Sequence, residues 1–411
     1  MTILPRATAP LLAQALRAMR VVVVTGPRQA GKSTFVEHHP ALVGRPYLTL
    51  DDPSVLRRAR ENPVAFARTE PRMTIDEVQR EPGLILAIKS VVDRQRPPVR
   101  GQFVLTGSAN LLMMKSVGDS LAGRAYYLRL WPMTRREQLG IGSAGAWDRF
   151  FENEVPRWLE VARTDKAPQA SWREYGARGG FPEVAVGRLS PADRALWFDG
   201  YIATYLERDL RELAAVADLA DFQRLMQAAA LRIGNLLNQS ELGRDVKLPA
   251  MTVHRYLNLL ETSYQIVRLP SYAVNRTKRL IKTPKLYWND PGLALHLGLG
   301  GEDGEPTGAH FENLVLCDLL AWRDTHAPRA AVTYWRTASG YEVDFVLERQ
   351  RQLVGVEVKA GSQPSMKDIQ GIRALLSEHP RQARGGVVVH GGDESYWLDE
   401  KIVAVPWWRV M

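Results

Sequence analysis

One short stretch constrains this chain more than any other. Residues 26–33 read GPRQAGKS and satisfy the pattern G-x-x-x-x-G-K-[ST] at each fixed position. The apolar, β-branched run at 21–24 precedes the pattern and predicts a buried parallel strand, and the residues after it predict the start of a helix. A strand, a glycine loop and a helix in this order form the context in which the pattern binds a nucleoside triphosphate.

The chemistry of the loop predicts a role for each part of it. Its glycines let successive backbone N–H groups point at the β-phosphate, and the helix N-terminus adds partial positive charge. We expect Lys32 to reach the β- and γ-phosphates and the Ser33 hydroxyl to ligate Mg²⁺, so ATP and Mg²⁺ are the predicted cofactors. The alternative is a chance glycine turn with an exposed lysine. The predicted nucleotide-binding residues are Gly26, Pro27, Arg28, Gln29, Ala30, Gly31, Lys32, Ser33 and Thr34.

Size and composition set outer limits. The 411 residues exceed what one hydrophobic core usually supports, so several domains are expected. The net charge of +9 permits binding to nucleic acid without requiring it, and the excess of arginine over lysine is typical of a GC-rich genome. A single cysteine, Cys317, excludes an intramolecular disulfide and suits a reducing cytoplasm. No apolar run is long enough to span a membrane, so we expect a cytoplasmic protein without a membrane partner.

A pair of carboxylates follows the next apolar strand. Residues 73–77 read MTIDE, about 50 residues after the glycine loop. In P-loop ATPases, a carboxylate at this strand end holds Mg²⁺ through water and the next one polarises the attacking water. We therefore assign Asp76 to the metal and Glu77 to the general base, with a solvated strand end as the alternative.

A third strand and a later arginine complete the expected catalytic set. Residues 102–110 predict a strand with a polar end, and in AAA+-like and STAND-like ATPases this strand lies between the other two and senses the γ-phosphate. Ser108 or Asn110 is the predicted sensor, with a plain turn as the alternative. Arg124, just before the strand predicted at 125–130, is a candidate γ-phosphate contact or arginine finger, or simply an exposed arginine.

These motifs together resemble the bacterial and archaeal ATPases that join an AAA-type P-loop domain to a C-terminal DUF4143 domain. The resemblance covers nearly the whole chain, in order. It rests on GPRQAGKST, TIDEVQ, LTGSAN, SLAGRA, GGFPE, YLERDL, FEN, YWR, EVDFVL and VEVKAG. It implies an α/β multidomain fold: an AAA/STAND-like P-loop domain at 1–140, a helical connector at 141–235, a winged helix at 236–297 and a restriction-endonuclease-like α/β domain at 298–411. A homo-oligomer is possible.

The middle of the chain resembles a winged helix. Short helices are predicted from 240 and over 252–262, and strands at 264–269 and 285–288. No acidic residue interrupts the basic residues around the expected wing, and a helix with a basic wing can hold duplex DNA. DNA is therefore a candidate partner, although AAA-type ATPases also use winged helices as nucleotide-site lids or protein contacts. The basic residues of this segment are Arg268, Arg276, Lys278, Arg279, Lys282 and Lys285.

The C-terminal motifs resemble the PD-(D/E)xK nuclease core. Asp344 lies on one predicted strand, and period-two alternation puts Glu357 and Lys359 on one face of the next. Glu312 matches the helix glutamate of many such nucleases. The resemblance implies Mg²⁺ or Mn²⁺ held by Glu312, Asp344 and Glu357, with Lys359 orienting the attacking water. The alternative is a fold that has lost cleavage and keeps salt bridges such as Lys359 to Asp344.

We therefore expect a Mg²⁺-dependent ATPase that acts on or near DNA and carries a nuclease-like domain. The alternative is a regulatory or signalling ATPase, of a defence or toxin–antitoxin-like kind, whose nuclease-like domain is inactive and binds a partner.

Overall fold

The computed structural model divides the chain into two compact units. Unit 1 comprises residues 1–132 and 262–265, and unit 2 comprises 133–261 and 266–411. Within them, the structure describes residues 3–107, 121–165, 167–205, 218–273, 282–299 and 304–411.

A five-stranded parallel sheet forms the centre of unit 1. Its strands are β1 (Val21–Thr25), β2 (Tyr47–Thr49), β3 (Met73–Asp76), β4 (Phe103–Thr106) and β5 (Ala125–Arg129). They lie in the order β2-β3-β4-β1-β5, and all pairs are parallel. The third strand of the motif set, β4, therefore lies between the glycine-loop strand and the Asp-Glu strand, as predicted. Because all strands run the same way, the ends that carry the polar motifs share one edge of the sheet.

Helices cover this sheet. They are α1 (Ala9–Ala18), α2 (Lys32–His38), α3 (Pro53–Glu61), α4 (Pro63–Phe66) and α5 (Pro82–Arg94). Leu11 and Leu12 of α1 pack on one face with β1, while Leu84 and Ile88 of α5 pack on the other. Asp52 caps α3, because its carboxylate accepts hydrogen bonds from the backbone N–H groups of Ser54 and Val55.

Unit 2 begins with a helical region. Its helices are Arg135–Gln138, Arg149–Glu152, Trp158–Arg163, Trp172–Arg178, Pro182–Val186, Pro191–Thr204, Leu219–Ala230, Gln239–Asp245, Ala250–Thr262 and Pro291–Leu299. The helices and strands predicted for the winged helix are present: Gln239–Asp245 and Ala250–Thr262 are followed by an antiparallel pair, β6 (Ile266–Leu269) and β7 (Lys285–Trp288), with β6 beginning two residues later than predicted. Val253, Tyr256 and Leu260 point into the core, where they join a cluster of aromatic and aliphatic side chains.

The GGFPE motif is explained by a buried carboxylate. Asp290 is fully buried, and it accepts hydrogen bonds from the backbone N–H groups of Gly180 at 2.6 Å and Leu293 at 2.9 Å. Gly179 has φ of +74°, and a Cβ there would lie 2.2 Å from Asp290 Oδ1. Glycine is required at 179 because the buried carboxylate packs directly against the backbone.

The C-terminal part of unit 2 is a six-stranded mixed sheet. Its strands are β8 (Ala331–Arg336), β9 (Glu342–Arg349), β10 (Gln352–Lys359), β11 (Ala383–His390), β12 (Tyr396–Asp399) and β13 (Ile402–Pro406), in the order β12-β13-β11-β10-β9-β8. The accompanying helices are Gly308–Arg323, Gln370–Glu378 and Trp407–Val410. The strands are rich in β-branched residues and largely buried, and Val387, Val388 and Val389 are fully buried.

A helix that crosses a bilayer needs about 20 mostly apolar residues. Across the described ranges, no helix combines the length and the apolar character that a membrane crossing requires.

Candidate functional site

The glycine loop joins β1 to α2, and three of its residues have a positive φ angle. Gly26, Gln29 and Gly31 have φ of +144°, +57° and +86°, and helix α2 begins directly after Gly31 at Lys32. A Cβ at Gly26 would lie 2.1 Å from the carbonyl oxygen of Leu130, so the first glycine is required by the neighbouring strand end. The Lys32 Nζ donates to the carbonyls of Gly26 at 3.2 Å and Pro27 at 2.7 Å, within the loop where the phosphates are expected.

Two contacts to this loop and its strand were not predicted from the sequence. Arg6 is buried and donates to the carbonyl oxygens of Ala30 at 2.8 Å and Trp131 at 2.5 Å, which fixes the loop against the end of β5. Tyr264 donates its hydroxyl to Thr25 Oγ1 at 3.1 Å, at the point where β1 passes into the loop. Both residues lie far from the motif in sequence and belong to no recognised pattern.

The Asp76 carboxylate accepts hydrogen bonds from hydroxyl groups on three elements. Ser33 donates to its Oδ1 at 3.1 Å, Tyr47 donates to its Oδ2 at 2.7 Å, and Thr106 also donates to Oδ1. Asp76 is only 4% exposed, so these bonds are what keep a charged carboxylate in the interior. Burial, with the neighbouring Asp76 carboxylate, raises the pKa of Tyr47 well above its usual value, so the phenol remains a donor.

Glu77 follows directly in a left-handed conformation, with φ of +55°. Its backbone N–H donates to Thr106 Oγ1 at 3.3 Å, and its carboxylate accepts from Gln79. Burial raises the pKa of Glu77, and the charge of Lys32 partly opposes this rise. Glu77 is therefore half-buried beside Lys32, where a base that activates water is expected.

The donor set suits the predicted Mg²⁺. Ser33 and Asp76 offer a hydroxyl and a carboxylate oxygen 3.1 Å apart, next to the loop. Mg²⁺ prefers oxygen ligands and keeps several waters, so one hydroxyl, one carboxylate acting through water and the nucleotide phosphates are sufficient.

Two of the other predicted contacts have different outcomes. Ser108 and Asn110 lie outside the described residues, so the γ-phosphate sensor stays a prediction. The prediction that Arg124 contacts the γ-phosphate bound to its own chain is wrong. It precedes β5 at the amino edge of the sheet, and β1, paired with β5 from Val21 to Thr25, separates it from the loop by about 13 Å. There it binds Asp93 through Nε–Oδ1 at 2.5 Å and Nη2–Oδ2 at 2.8 Å.

The second candidate site lies on the C-terminal sheet. The antiparallel register pairs Val356 with Phe345, so Asp344 comes opposite Glu357 on the same face. Asp344 accepts from the backbone N–H of Val358 at 2.9 Å. The Lys359 Nζ lies 2.8 Å from Glu357 Oε1, so this lysine pairs with Glu357, not with Asp344 as the alternative had it.

A lysine that the sequence assigned to the wing lies among the carboxylates of this site. Lys285, at the start of β7, is only 4% exposed. Its Nζ lies 2.6 Å from Glu342 Oε1, 3.2 Å from Glu312 Oε1 and 3.6 Å from Asp344 Oδ1. Burial lowers the pKa of Lys285, but the three carboxylates raise it more, so the ammonium stays charged. Glu312 also accepts from the Tyr287 hydroxyl.

This arrangement corrects the predicted metal site of Glu312, Asp344 and Glu357. Glu312 turns to Lys285 and Tyr287, while Glu357 turns to Lys359, and Asp344 lies between the two groups. Over the described part of the chain, no three His, Cys, Asp or Glu side chains are placed to share a metal ion. The residues present therefore do not fit the metal that the nuclease resemblance implies, because Lys285 supplies the positive charge.

Two of the six residues predicted to form the basic wing do not present a free charge to solvent. Lys285 is buried among carboxylates, and Arg268 binds Glu261 and donates to Asn258 Oδ1 at 2.8 Å. Lys282 is exposed, as predicted, and Arg276, Lys278 and Arg279 lie outside the described residues.

Family models match three consecutive parts of the chain. A model described as an AAA domain matches residues 18–139, a domain of unknown function (DUF8612) matches 169–303, and a second one (DUF4143) matches 307–410. The first covers the glycine loop and Asp76, and the last covers the carboxylate cluster on the C-terminal sheet.

Curated relatives extend the similarity over the whole length. Uncharacterized proteins of Mycobacterium tuberculosis and Mycobacterium bovis are each 33% identical over 411 residues, which is 98% of this chain and 83% of the relative. An uncharacterized protein of Haemophilus influenzae is 23% identical over 290 residues, 69% of this chain and 64% of the relative.

Solved structures resemble the chain more distantly. A Walker-type ATPase of Pyrococcus abyssi gives a TM-score of 0.42 at 15% identity, covering 72% of this chain and 99% of that one. A RuvB variant of Thermotoga maritima gives 0.31 at 17% identity, covering 64% and 89%. Neither score is high enough to support an argument about function.

The full-length relatives and the consecutive matches agree with the geometry of the glycine loop and with the C-terminal sheet. The chain belongs to the family of AAA-type P-loop ATPases that carry a C-terminal DUF4143 domain.

Proposed function

We propose that the protein hydrolyses ATP in unit 1 with Mg²⁺ as cofactor. The observation that carries this proposal is the contact of Ser33 with Asp76 at 3.1 Å, beside a loop whose lysine already points inward. Mg²⁺, when bound, neutralises charge on the phosphates and on the leaving oxygen.

Each residue of the site has a defined task in this proposal. Lys32 exchanges its bonds to the Gly26 and Pro27 carbonyls for the β- and γ-phosphate oxygens. Ser33 and Asp76 would hold the cation, the hydroxyl as a direct ligand and the carboxylate through water. Glu77, half-buried next to Lys32, would accept a proton from the attacking water.

Substitutions at Lys32 and Glu77 test this division of tasks. Lys32→Ala removes the cation of the motif and should abolish ATP binding, measured by titration with a fluorescent ATP analogue. Glu77→Gln should keep binding and lower kcat by roughly 100-fold or more, the scale of a lost general base. Glu81→Gln is the matched control. Its carboxylate caps α5 through the N–H of Gly83, and hydrolysis should continue. Unchanged hydrolysis in Glu77→Gln would assign the base to another residue.

For the C-terminal domain, the position of Lys285 favours the regulatory alternative over phosphodiester cleavage. A hydrolytic metal site needs carboxylates that are free to converge on the cation. Here Lys285 lies among Glu312, Glu342 and Asp344, and Lys359 is held by Glu357. We propose that this domain binds a partner and that the ATPase is its regulatory unit.

Substitution of Lys285 tests its role as the internal counter-ion. Lys285→Met leaves buried carboxylates without their cation and should lower the free energy of unfolding by about 3–5 kcal/mol. Added Mn²⁺ should restore part of the lost thermal stability by mass action. Lys282→Met, an exposed lysine three residues earlier, is the control and should have little effect. Equal stability of Lys285→Met and wild type would contradict the counter-ion role, as would a Mn²⁺-induced stabilisation of wild type that Asp344→Asn removes.

The absence of cleavage is a separate prediction. Wild-type protein incubated with supercoiled plasmid and Mg²⁺ or Mn²⁺, with and without ATP, should leave the plasmid intact, because Lys285 takes the place of a catalytic cation. The same incubation with RNA should leave the RNA intact. Nicking that disappears in both Asp344→Asn and Glu357→Gln would refute the regulatory proposal and establish a nuclease.

Action on DNA through the winged helix remains part of the wider proposal. Lys282, His254 and Arg255 are exposed and support it, whereas Arg268 and Lys285 are engaged within the protein. The same module can instead serve as a lid or a protein contact, and it carries less positive charge toward solvent than its sequence predicts.

A further inference from the structure

The edge of the unit 1 sheet opposite the glycine loop has not been assigned a role. Because the five strands are parallel, the segments that lead into them all lie along this amino edge. The five segments are residues 18–20, 43–46, 67–72, 94–102 and 121–124.

These segments carry a concentration of positive charge. Within the segments, eight arginines and one acidic residue, Glu70, give +7 of the chain's net charge of +9, while Asp93, just before the fourth segment, pairs with Arg124. A general bias toward arginine does not explain this, since the rest of the chain has 46 basic and 44 acidic residues and is nearly balanced. We call the eight residues the arginine edge; they are Arg20, Arg45, Arg68, Arg72, Arg94, Arg96, Arg100 and Arg124.

Contacts with backbone carbonyls hold several of these side chains in place. Arg100 donates to the carbonyl of Ala18 at 2.8 Å, and Arg20 donates to that of Val92 at 3.2 Å. Such bonds orient a guanidinium group without removing its charge. Arg20, Arg100 and Arg124 line a cavity of about 350 Å³ together with Asp93, which forms an ion pair with Arg124.

The other end of the arginine edge brings like charges together. Arg45 is half-buried and donates to the carbonyl of Gly101 at 2.9 Å. Burial, and then the neighbouring charge of Arg72, lower the pKa of Arg45 to about 10. Arg68, Arg72 and Arg94 extend into solvent. The positive charges of Arg45 and Arg72 repel each other, and an anion bound between them would relieve that repulsion.

We propose that the arginine edge binds the phosphate backbone of duplex DNA without regard to sequence. Planar guanidinium groups match phosphate oxygens in pairs, which is why arginine is favoured for this task. Five strands spaced about 4.8 Å apart give a row about 19 Å long, over which a duplex presents about eleven phosphate charges.

The composition of the segments favours a duplex over a single strand. Proteins that bind single-stranded nucleic acid stack its bases on aromatic side chains. The five segments contain no Phe, Tyr, Trp or His, so they provide charge without a stacking surface. Contact with phosphates alone also carries no sequence information.

This inference does not depend on ATP hydrolysis. The arginine edge and the glycine loop lie at opposite ends of the same strands, so Lys32→Ala should lose ATP binding and keep DNA binding. Failure of the hydrolysis proposal and failure of this one are therefore distinguishable.

The test is the salt dependence of DNA binding without nucleotide. A labelled 20-base-pair duplex is titrated with protein between 50 and 200 mM KCl, and anisotropy gives the affinity. The triple variant Arg68→Gln, Arg72→Gln, Arg94→Gln should bind more weakly, and its slope of log affinity against log salt should fall by about 2.7. Its thermal unfolding midpoint should stay close to that of wild type, which reports an intact fold whether or not the protein hydrolyses ATP.

A second triple variant is matched in charge. Arg188→Gln, Arg351→Gln, Arg381→Gln removes three exposed arginines elsewhere and should keep the wild-type slope. A wild-type slope in the first variant would overturn the proposal. Equal loss of slope in both variants would do the same, because it would show an effect of net charge alone. Tighter binding of a single strand, or of polyglutamate at equal charge, would overturn the assignment to duplex DNA.

Discussion

The carboxylate of Asp76 is the interaction on which the nucleotide site depends. It is buried at the end of β3 and accepts hydroxyl donors from the start of α2, from β2 and from β4. A buried charge is tolerated only where it is fully bonded, so this residue fixes Ser33, Tyr47 and Thr106 relative to one another. The neighbouring Glu77 takes its position from the same strand end and from Thr106. The proposed metal ligand and the proposed general base thus share one support.

The buried carboxylates of the C-terminal cluster also need bonding partners, and here the partners are lysine side chains. Glu312, Glu342, Asp344 and Glu357 lie close together on unit 2, and such a cluster needs positive charge. Nuclease-like folds obtain that charge from a metal ion. Here two lysines provide it, Lys285 from β7 and Lys359 from β10. The ion pair of Lys285 with Glu342 links the β6–β7 pair to the C-terminal sheet.

The sequence predicted the parts of this molecule that local pattern determines. The glycine loop, the buried strands and the alternation that puts Glu357 and Lys359 on one face depend on residues close together in the chain, and the observed register agrees. The place of β4 between β1 and β3 came from resemblance and is confirmed.

What could not be predicted depends on contacts between distant segments. Lys285 was assigned to a basic wing because its sequence neighbours are basic, yet the fold brings it to carboxylates 27 and more residues away. Arg6 and Tyr264 reach the loop and its strand from segments with no motif. Arg124, just before β5, was one candidate for a γ-phosphate contact, whereas the parallel sheet places the start of β5 at the opposite edge from the glycine loop.

The most direct measurement is the Mg²⁺ dependence of ATP hydrolysis in wild type and Asp76→Asn. If Ser33 and Asp76 hold the cation together, wild type saturates with Mg²⁺, whereas the variant needs at least about tenfold more Mg²⁺ to reach half of its own lower maximal rate, since such supporting ligands contribute about 10–100-fold to metal affinity. Identical Mg²⁺ dependence in the two proteins would show that Asp76 does not hold the cation and would contradict the account of this site.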